Sequence, residues 1–313
     1  MHCRPIFGGS LSVGILFGIL AALCWGFGDY LITLLTRRIG NERSLVWTQI
    51  ASLLLWLVML VALGSPKFSA DSIPTVLLAG ALHVVGLKLT YRAFEVGTLS
   101  IVSPLASGFA IVTAVLVLIF GHAPNNIALA GAGLLVVGIA FATGGDTSGP
   151  KSLKGVPEAI GSALAFGGMF YLFEGIESTV GYVGPLVVLK TLATLTFSLP
   201  QLKTVFQRVD LSPSVLGLTV GVAAMDTGAW LFYLYGLKSE SGAIVTAVAS
   251  LFSVVTVILA VAFFKERLKP AQWAGIALVL VGILVVSWPK NEVKAEPLRA
   301  GSVRQGTANP LRA

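Results

Sequence analysis

The sequence predicts an all-α membrane protein of about ten transmembrane helices arranged as two inverted five-helix repeats. Three observations predict it. First, the composition is that of a lipid-facing chain: of 313 residues, 56% are hydrophobic and 11% charged, with a mean hydropathy of +0.90. A soluble surface carries far more charge than this. Second, apolar runs of about 20 residues recur, the length that crosses a hydrocarbon core of roughly 30 Å. Third, the two halves of the chain repeat one another at offsets of 141 to 144 residues.

The first predicted span, 12–35, opens with "MHCRPIFGGSLSVGILFGILAALC", which has the basic residue and apolar core of a signal peptide. Its apolar run continues to about Thr36, long enough to span, and Leu23 before Cys24 spoils a lipoprotein cleavage site. It is therefore expected to remain as a mature helix. Spans 44–63, 73–95, 98–120 and 126–143 complete the first half. The second half reads 155–174, 183–200, 213–237, 241–264 and 270–288. The breaks "GSPKFSADSIP", "GHAPNN", "GGDTSGPKSLKG" and "LPQLKTVFQRVDLSPS" combine Gly, Pro and charge, which end helices and favour water. Residues 289–313 have no apolar period and read as a polar tail. The expected units are thus a repeat at 12–145, a second at 154–288, and the tail.

The repetition is visible residue by residue. "LSIVSPLASGFAIVTAVL" at 99–116 aligns with "GAIVTAVASLFSVVTVIL" at 242–259, matching Ala106-Ser107 to Ala249-Ser250 and Thr113 to Thr256. "AGAGLLVVGIA" at 130–140 aligns with "AGIALVLVGIL" at 274–284, pairing Gly131 with Gly275 and Gly138 with Gly282. "CWGFG" at 24–28 answers "AFGGM" at 165–169. An odd number of helices per copy makes the second enter the membrane from the opposite side, the symmetry that lets one central site face either side in turn. The glycine pairs are expected to mark close helix packing.

Several function classes are disfavoured. Net charge is +7, but the Lys and Arg residues are scattered over connections and tail without interleaved aromatics, so no nucleic-acid partner is expected. Cys3 and Cys24 are too few for a disulfide framework. Neither a Walker loop, a His-Glu-x-x-His zinc motif nor a Gly-x-Ser-x-Gly elbow occurs, and His2, His83 and His122 are dispersed. No metal, cofactor or catalytic residue is expected, and any energy source is a gradient rather than ATP.

"AALCWGFGDYLITLL" near the start and "FFKERLKPAQWAGIALVLVGILVVS" at 263–287 resemble the EamA family of the drug/metabolite transporter superfamily, and the repeat covers residues 12 to 288. The resemblance implies a ten-helix exporter or exchanger of small metabolites with both termini cytoplasmic. Glu266-Arg267-Leu268 matches the family's connection in the second half, whereas the first half has "GHAPNN" there. Loop charges point the other way. Connections after odd-numbered spans carry eleven Lys/Arg, against three on the opposite face plus five in the tail.

Charges inside apolar spans locate the candidate site, because hydrocarbon does not solvate them. With offsets already set by other residues, His83 maps onto Asp226 and Gln49 onto Lys190. These four are expected to form a polar belt near mid-membrane. Asp226, Trp230 and Tyr233 share one helical stripe at i, i+4 and i+7, which adds aromatic walls suited to an amphipathic or cationic molecule. His83, Leu87 and Thr90 form the matching stripe with Tyr91 alongside, and Trp25 and Asp29 lie at i, i+4 on the first span. The expected substrate pathway is Asp226, His83, Lys190, Gln49, Trp25, Trp230, Tyr233 and Tyr91, with Asp226 and His83 as the proton-coupling candidates. An ion pair between Asp226 and Lys190 with a purely structural role is the alternative.

The expected function is a secondary transporter of small metabolites, such as amino acids or amphipathic compounds, working by alternating access and open to proton coupling. It is expected to be a multi-pass protein of a bacterial inner membrane, acting as a monomer or homodimer, with the lipid bilayer and a small-molecule substrate as partners. The rival readings are an intramembrane enzyme using His83 and Asp226 on a lipid-linked substrate, and a passive channel.

Overall fold

The structure is a computed structural model. It describes residues 13–63, 70–121, 153–180, 183–201, 212–239 and 248–286, with single positions at 134, 137, 138, 141 and 245. The helices are α1 (Val13–Ile39), α2 (Asn41–Leu63), α3 (Ile73–Val96), α4 (Leu99–Ala106), α5 (Phe109–Gly121), α6 (Val156–Val180), α7 (Val183–Ser198), α8 (Pro213–Ser239), α9 (Phe252–Phe263) and α10 (Pro270–Val286). No strand occurs among the described residues. Six of the helices are long and apolar enough to cross a bilayer: α1, α2, α3, α6, α7 and α8. Shorter apolar helices accompany them, and large side chains such as Val61 (86% exposed) and Phe120 (70% exposed) point outward. Lipid, not water, is the solvent for such a surface, so the chain is an integral multi-pass membrane protein. Most of predicted span 126–143, the start of span 241–264 and the tail 289–313 lie outside the described residues.

Helix ends follow the local chemistry. The chain leaves α1 through Gly40, whose φ of 83° suits a residue without Cβ and whose N–H closes on Thr36 at 2.9 Å. Pro270 starts α10, and the Gln272 side chain accepts from the Lys269 amide at 3.0 Å, half of a capping box.

The expected unbroken helix over 98–120 is corrected: it divides into α4 and α5. The Ser107 hydroxyl donates to the Pro104 carbonyl at 2.8 Å, the acceptor a continuous helix would offer to Gly108. Gly108 N–H turns instead to Leu105 at 3.1 Å, and Ile111 N–H to Gly108 at 3.0 Å, a single 3₁₀ turn. The same turn recurs before α9, where Leu251 N–H bonds Val248 at 3.2 Å and Val254 N–H bonds Leu251 at 2.9 Å. These residues stand at the sequence offset of 143 from their counterparts.

Packing between the halves is reciprocal. α1 lies along α8 and α3 along α6, while α2 meets α7 and α4 meets α9. Two glycines allow the close approaches. A Cβ on Gly26 of α1 would stand 2.5 Å from Val255 Cβ and 2.7 Å from the Phe252 carbonyl of α9. A Cβ on Gly167 of α6 would stand 2.4 Å from Val112 Cβ and 3.0 Å from the Phe109 carbonyl of α5. Likewise a Cβ on Gly138 would lie 2.9 Å from the Gly275 carbonyl of α10, so the two helices pack closely at that position; Gly131 lies outside the described residues.

One end of the bundle is polar. Arg37, Glu95, Gly97, Lys154 and Glu266 surround a pocket of about 520 Å³ there, so α6 starts at the end where α1 and α3 finish. Gln201, just past α7, donates to Glu42 at the start of α2 at 2.8 Å. Glu266 accepts from the Leu99 amide (3.0 Å), the Ser100 amide (2.9 Å) and the Ser100 hydroxyl (2.6 Å), which places a carboxylate on the N-terminus of α4.

Candidate substrate cavity

Between the halves lies a cavity of about 120 Å³. α1 contributes Trp25, Asp29 and Ile32; α3 contributes His83, Leu87, Thr90, Tyr91 and Phe94. Phe166, Met169 and Phe170 of α6 and Asp226 and Trp230 of α8 face them, with Phe109 and Phe252 at the starts of α5 and α9. The lining follows the repeat: Trp25 with Phe166 and Asp29 with Phe170 stand 141 residues apart, and His83 with Asp226, Leu87 with Trp230 and Phe109 with Phe252 stand 143 apart.

Of the expected pathway residues, the structure brings Asp226, His83, Trp25, Trp230 and Tyr91 to this one cavity. Lys190 stands behind it, 0% exposed, and reaches it through Asp226: its ammonium donates to Oδ2 at 2.7 Å. Ser52 of α2 donates to the same oxygen at 2.8 Å, so the carboxylate ties α2, α7 and α8 together. Such a pair survives burial because each charge answers the other. Gln49 and Tyr233 lie outside the lining. Gln49 is buried, its backbone carbonyl accepts from Thr194 at 3.1 Å, and its side-chain Oε1 has no partner among the described residues. Tyr233 supports the wall from behind, 5.8 Å from Trp25 and 5.9 Å from Trp230 between ring centroids.

The polar groups differ in how well they are satisfied. Tyr91 shares a 2.8 Å hydrogen bond with Thr48, which fixes its hydroxyl to α2. His83 is 98% buried, its exposure being 2%, yet neither ring nitrogen has a partner among the described residues, and the ring stands 5.9 Å from that of Phe166. A buried imidazole without partners is costly unless water or a ligand completes it. At about 120 Å³ the cavity has room for water or a small ligand to do so.

Three features escape sequence reasoning. Asp29, noted there only as a neighbour of Trp25, is buried and accepts from Ser103 of α4 at 2.7 Å and Thr256 of α9 at 3.0 Å, both on Oδ2. Phe166 and Phe170 supply a wall in which Phe170 stacks on Phe109 at 4.7 Å and on Trp230 at 5.4 Å. The offset of 141 that joins "CWGFG" to "AFGGM" was the available signal for both phenylalanines. Ser52 carries no sequence signal at all. Among the described residues no group of three or more His, Cys, Asp or Glu is placed to hold a metal.

The lining therefore offers two carboxylates, one imidazole and flat rings, with no Lys or Arg in it. It can hold a small, partly aromatic molecule and has nothing to neutralise a strongly anionic one.

Comparisons with known proteins bear on the family and on the fold. The family model of the EamA-like transporter family matches residues 12–144 and 153–288. "UDP-galactose transporter homolog 1" of Yarrowia lipolytica is 30% identical over 103 residues, a match covering 33% of this chain and only 28% of that protein. A crystal structure of another protein superposes with a TM-score of 0.60 at 16% identity, over 87% of this chain and 95% of its own, a likeness of fold. The chain belongs to the EamA-like transporter family, within the drug/metabolite transporter superfamily.

Proposed function

We propose that the protein is a secondary transporter that moves small organic molecules by alternating access, as exporter or exchanger. The observation that carries this reading is the lining of the central cavity, in which residues from both halves stand in pairs at the repeat offsets. Reciprocal packing of α1 on α8 and α3 on α6, and the start of α6 at the end where α1 finishes, support two inverted five-helix copies. Two copies that exchange conformations open the same cavity to one face and then the other. The cavity must widen on the way, since about 120 Å³ is small for a metabolite site.

Proton coupling is assigned to Asp226. Its carboxylate reaches the cavity while holding Lys190, so a proton on it removes the charge that binds α7 to α8. His83, which lines the same cavity with both ring nitrogens unpartnered among the described residues, is the second coupling candidate. UDP-galactose belongs to the name of the yeast relative; for this chain, a lining with two carboxylates and no Lys or Arg disfavours a nucleoside diphosphate sugar.

The test is a metabolite comparison between cells overexpressing the protein and cells expressing Asp226→Asn, followed by counterflow of the responding compound in proteoliposomes. Saturable counterflow that responds to a pH gradient in the parent protein and ignores it in the variant supports the reading. Counterflow indifferent to both the gradient and the substitution refutes the coupling, and flux without saturation refutes alternating access.

A further inference from the structure

Two buried carboxylates face the cavity, and they are not equivalent. Asp226 is already neutralised by the Lys190 ammonium at 2.7 Å and further satisfied by Ser52. Asp29 has no Lys or Arg partner among the described residues: its Oδ2 takes two hydroxyls, from Ser103 and Thr256, and its Oδ1 takes none. Hydroxyls orient a carboxylate but do not cancel its charge. The residue is 8% exposed and lines the cavity. In the same cavity His83 presents two unpartnered ring nitrogens from a side chain as deeply buried. Around them stand the rings of Trp25, Phe109, Phe170 and Trp230, with Trp25 edge-on to Trp230 at 5.6 Å.

We propose that Asp29 and His83 form the recognition site for a single-ring organic cation, an arylalkylamine whose ammonium pairs with Asp29 and whose far polar group hydrogen-bonds His83. The inference rests on the transporter reading above and assigns its cargo class. Unmet charge decides between the acids: a cation arriving at Asp226 must displace an ammonium that has no water to return to, whereas at Asp29 it meets a free oxygen. The aromatic rings add flat contact and cation–π attraction. The size of the cavity favours one ring over two. Ser103 and Thr256 act as positioning residues, since each touches Asp29 rather than the ligand in this arrangement.

The test uses the purified full chain in lipid nanodiscs, with tyramine as the probe and 4-propylphenol as its neutral isostere, read by tryptophan fluorescence and calorimetry. Tyramine is expected to bind at least about tenfold more tightly than 4-propylphenol, the discrimination a charge-assisted hydrogen bond supplies. Asp29→Asn is expected to erase that preference and Glu266→Gln, which lies outside the cavity, to keep it. His83→Leu is expected to erase the preference for tyramine over phenethylamine, which lacks the hydroxyl. Equal binding of amine and phenol to the parent protein overturns the proposal, as does a preference that survives Asp29→Asn or is lost as fully in Glu266→Gln. Should Asp29→Asn fail to fold, a photoreactive benzylamine with mass-spectrometric mapping reads the same claim. Adducts on cavity residues of α1 or α3 support it, and adducts confined to other surfaces overturn it. The two readings fail separately: tyramine binding through Asp29 without any counterflow refutes transport alone, and tyramine counterflow undiminished in Asp29→Asn refutes this site alone.

Discussion

Removing either member of the Lys190–Asp226 pair should harm the protein unequally, and the inequality follows from burial. The Lys190 side chain is 0% exposed, whereas that of Asp226 is 26% exposed and lines the cavity. Asp226→Leu strands an ammonium with no water and no counter-charge, a loss of about 3–5 kcal/mol for a broken buried pair. Lys190→Met leaves a carboxylate that faces the cavity and keeps the Ser52 hydroxyl at 2.8 Å, so its cost is closer to 1.5–3 kcal/mol, about that of a lost hydrogen bond to a charged group. The double variant has no charge to strand and should recover to within about 1 kcal/mol of the parent. The coupling energy of the cycle is then at least about 3 kcal/mol, a hundredfold or more in the unfolding equilibrium. Reversible unfolding in mixed micelles, followed by tryptophan fluorescence, measures all four proteins. The reasoning is refuted if Lys190→Met is as damaging as Asp226→Leu, or if the double variant is no more stable than Asp226→Leu alone.

Other outcomes follow from contacts already described. Gly26→Ala and Gly167→Ala should each cost about 1–3 kcal/mol, because both added methyls meet the fourth span of the opposite half at less than 2.6 Å; a neutral Gly167→Ala beside a costly Gly26→Ala would break their equivalence. Glu266→Gln should lower stability by about 1 kcal/mol, since it removes the charge from the N-terminus of α4, and thermal unfolding at low and high salt should show the loss shrinking with salt. Trp230→Leu should raise the half-saturation concentration for an aromatic cargo by about tenfold with a smaller change in maximal rate, measured by initial rates in proteoliposomes.

Much of this architecture was legible because membranes impose a simple grammar. Span positions followed from runs of apolar residues, and α2, α3, α7, α8 and α10 begin or end within a few residues of the expected boundaries. The break between α4 and α5 was not legible. It turns on whether the Ser107 hydroxyl or the Gly108 amide takes the Pro104 carbonyl, a competition that apolar patterning does not register. In the site, the offset that joins His83 to Asp226 reads as equal depth, and both line the cavity. It did not report direction. Lys190 and Gln49 share that depth by the same logic, yet Lys190 stands behind Asp226 and Gln49 lies outside the lining. Asp29 was visible as a charge in an apolar span, but its partners Ser103 and Thr256 sit on helices far along the chain, and single hydroxyls are too common to stand out. Phe166 and Phe170 were hidden for a related reason, as two among 17 phenylalanines.

The central claim is that this cavity is the passage between the two sides of the membrane. Phe109 and Phe252, counterparts at the offset of 143, both line it and lie 6.3 Å apart between ring centroids. In a background with Cys3→Ser and Cys24→Ser, single Phe109→Cys and Phe252→Cys variants in sealed vesicles of each orientation should react with a membrane-impermeant thiol reagent added from either face. Reaction of neither thiol, or of both from one face alone under every substrate and pH condition, would contradict it.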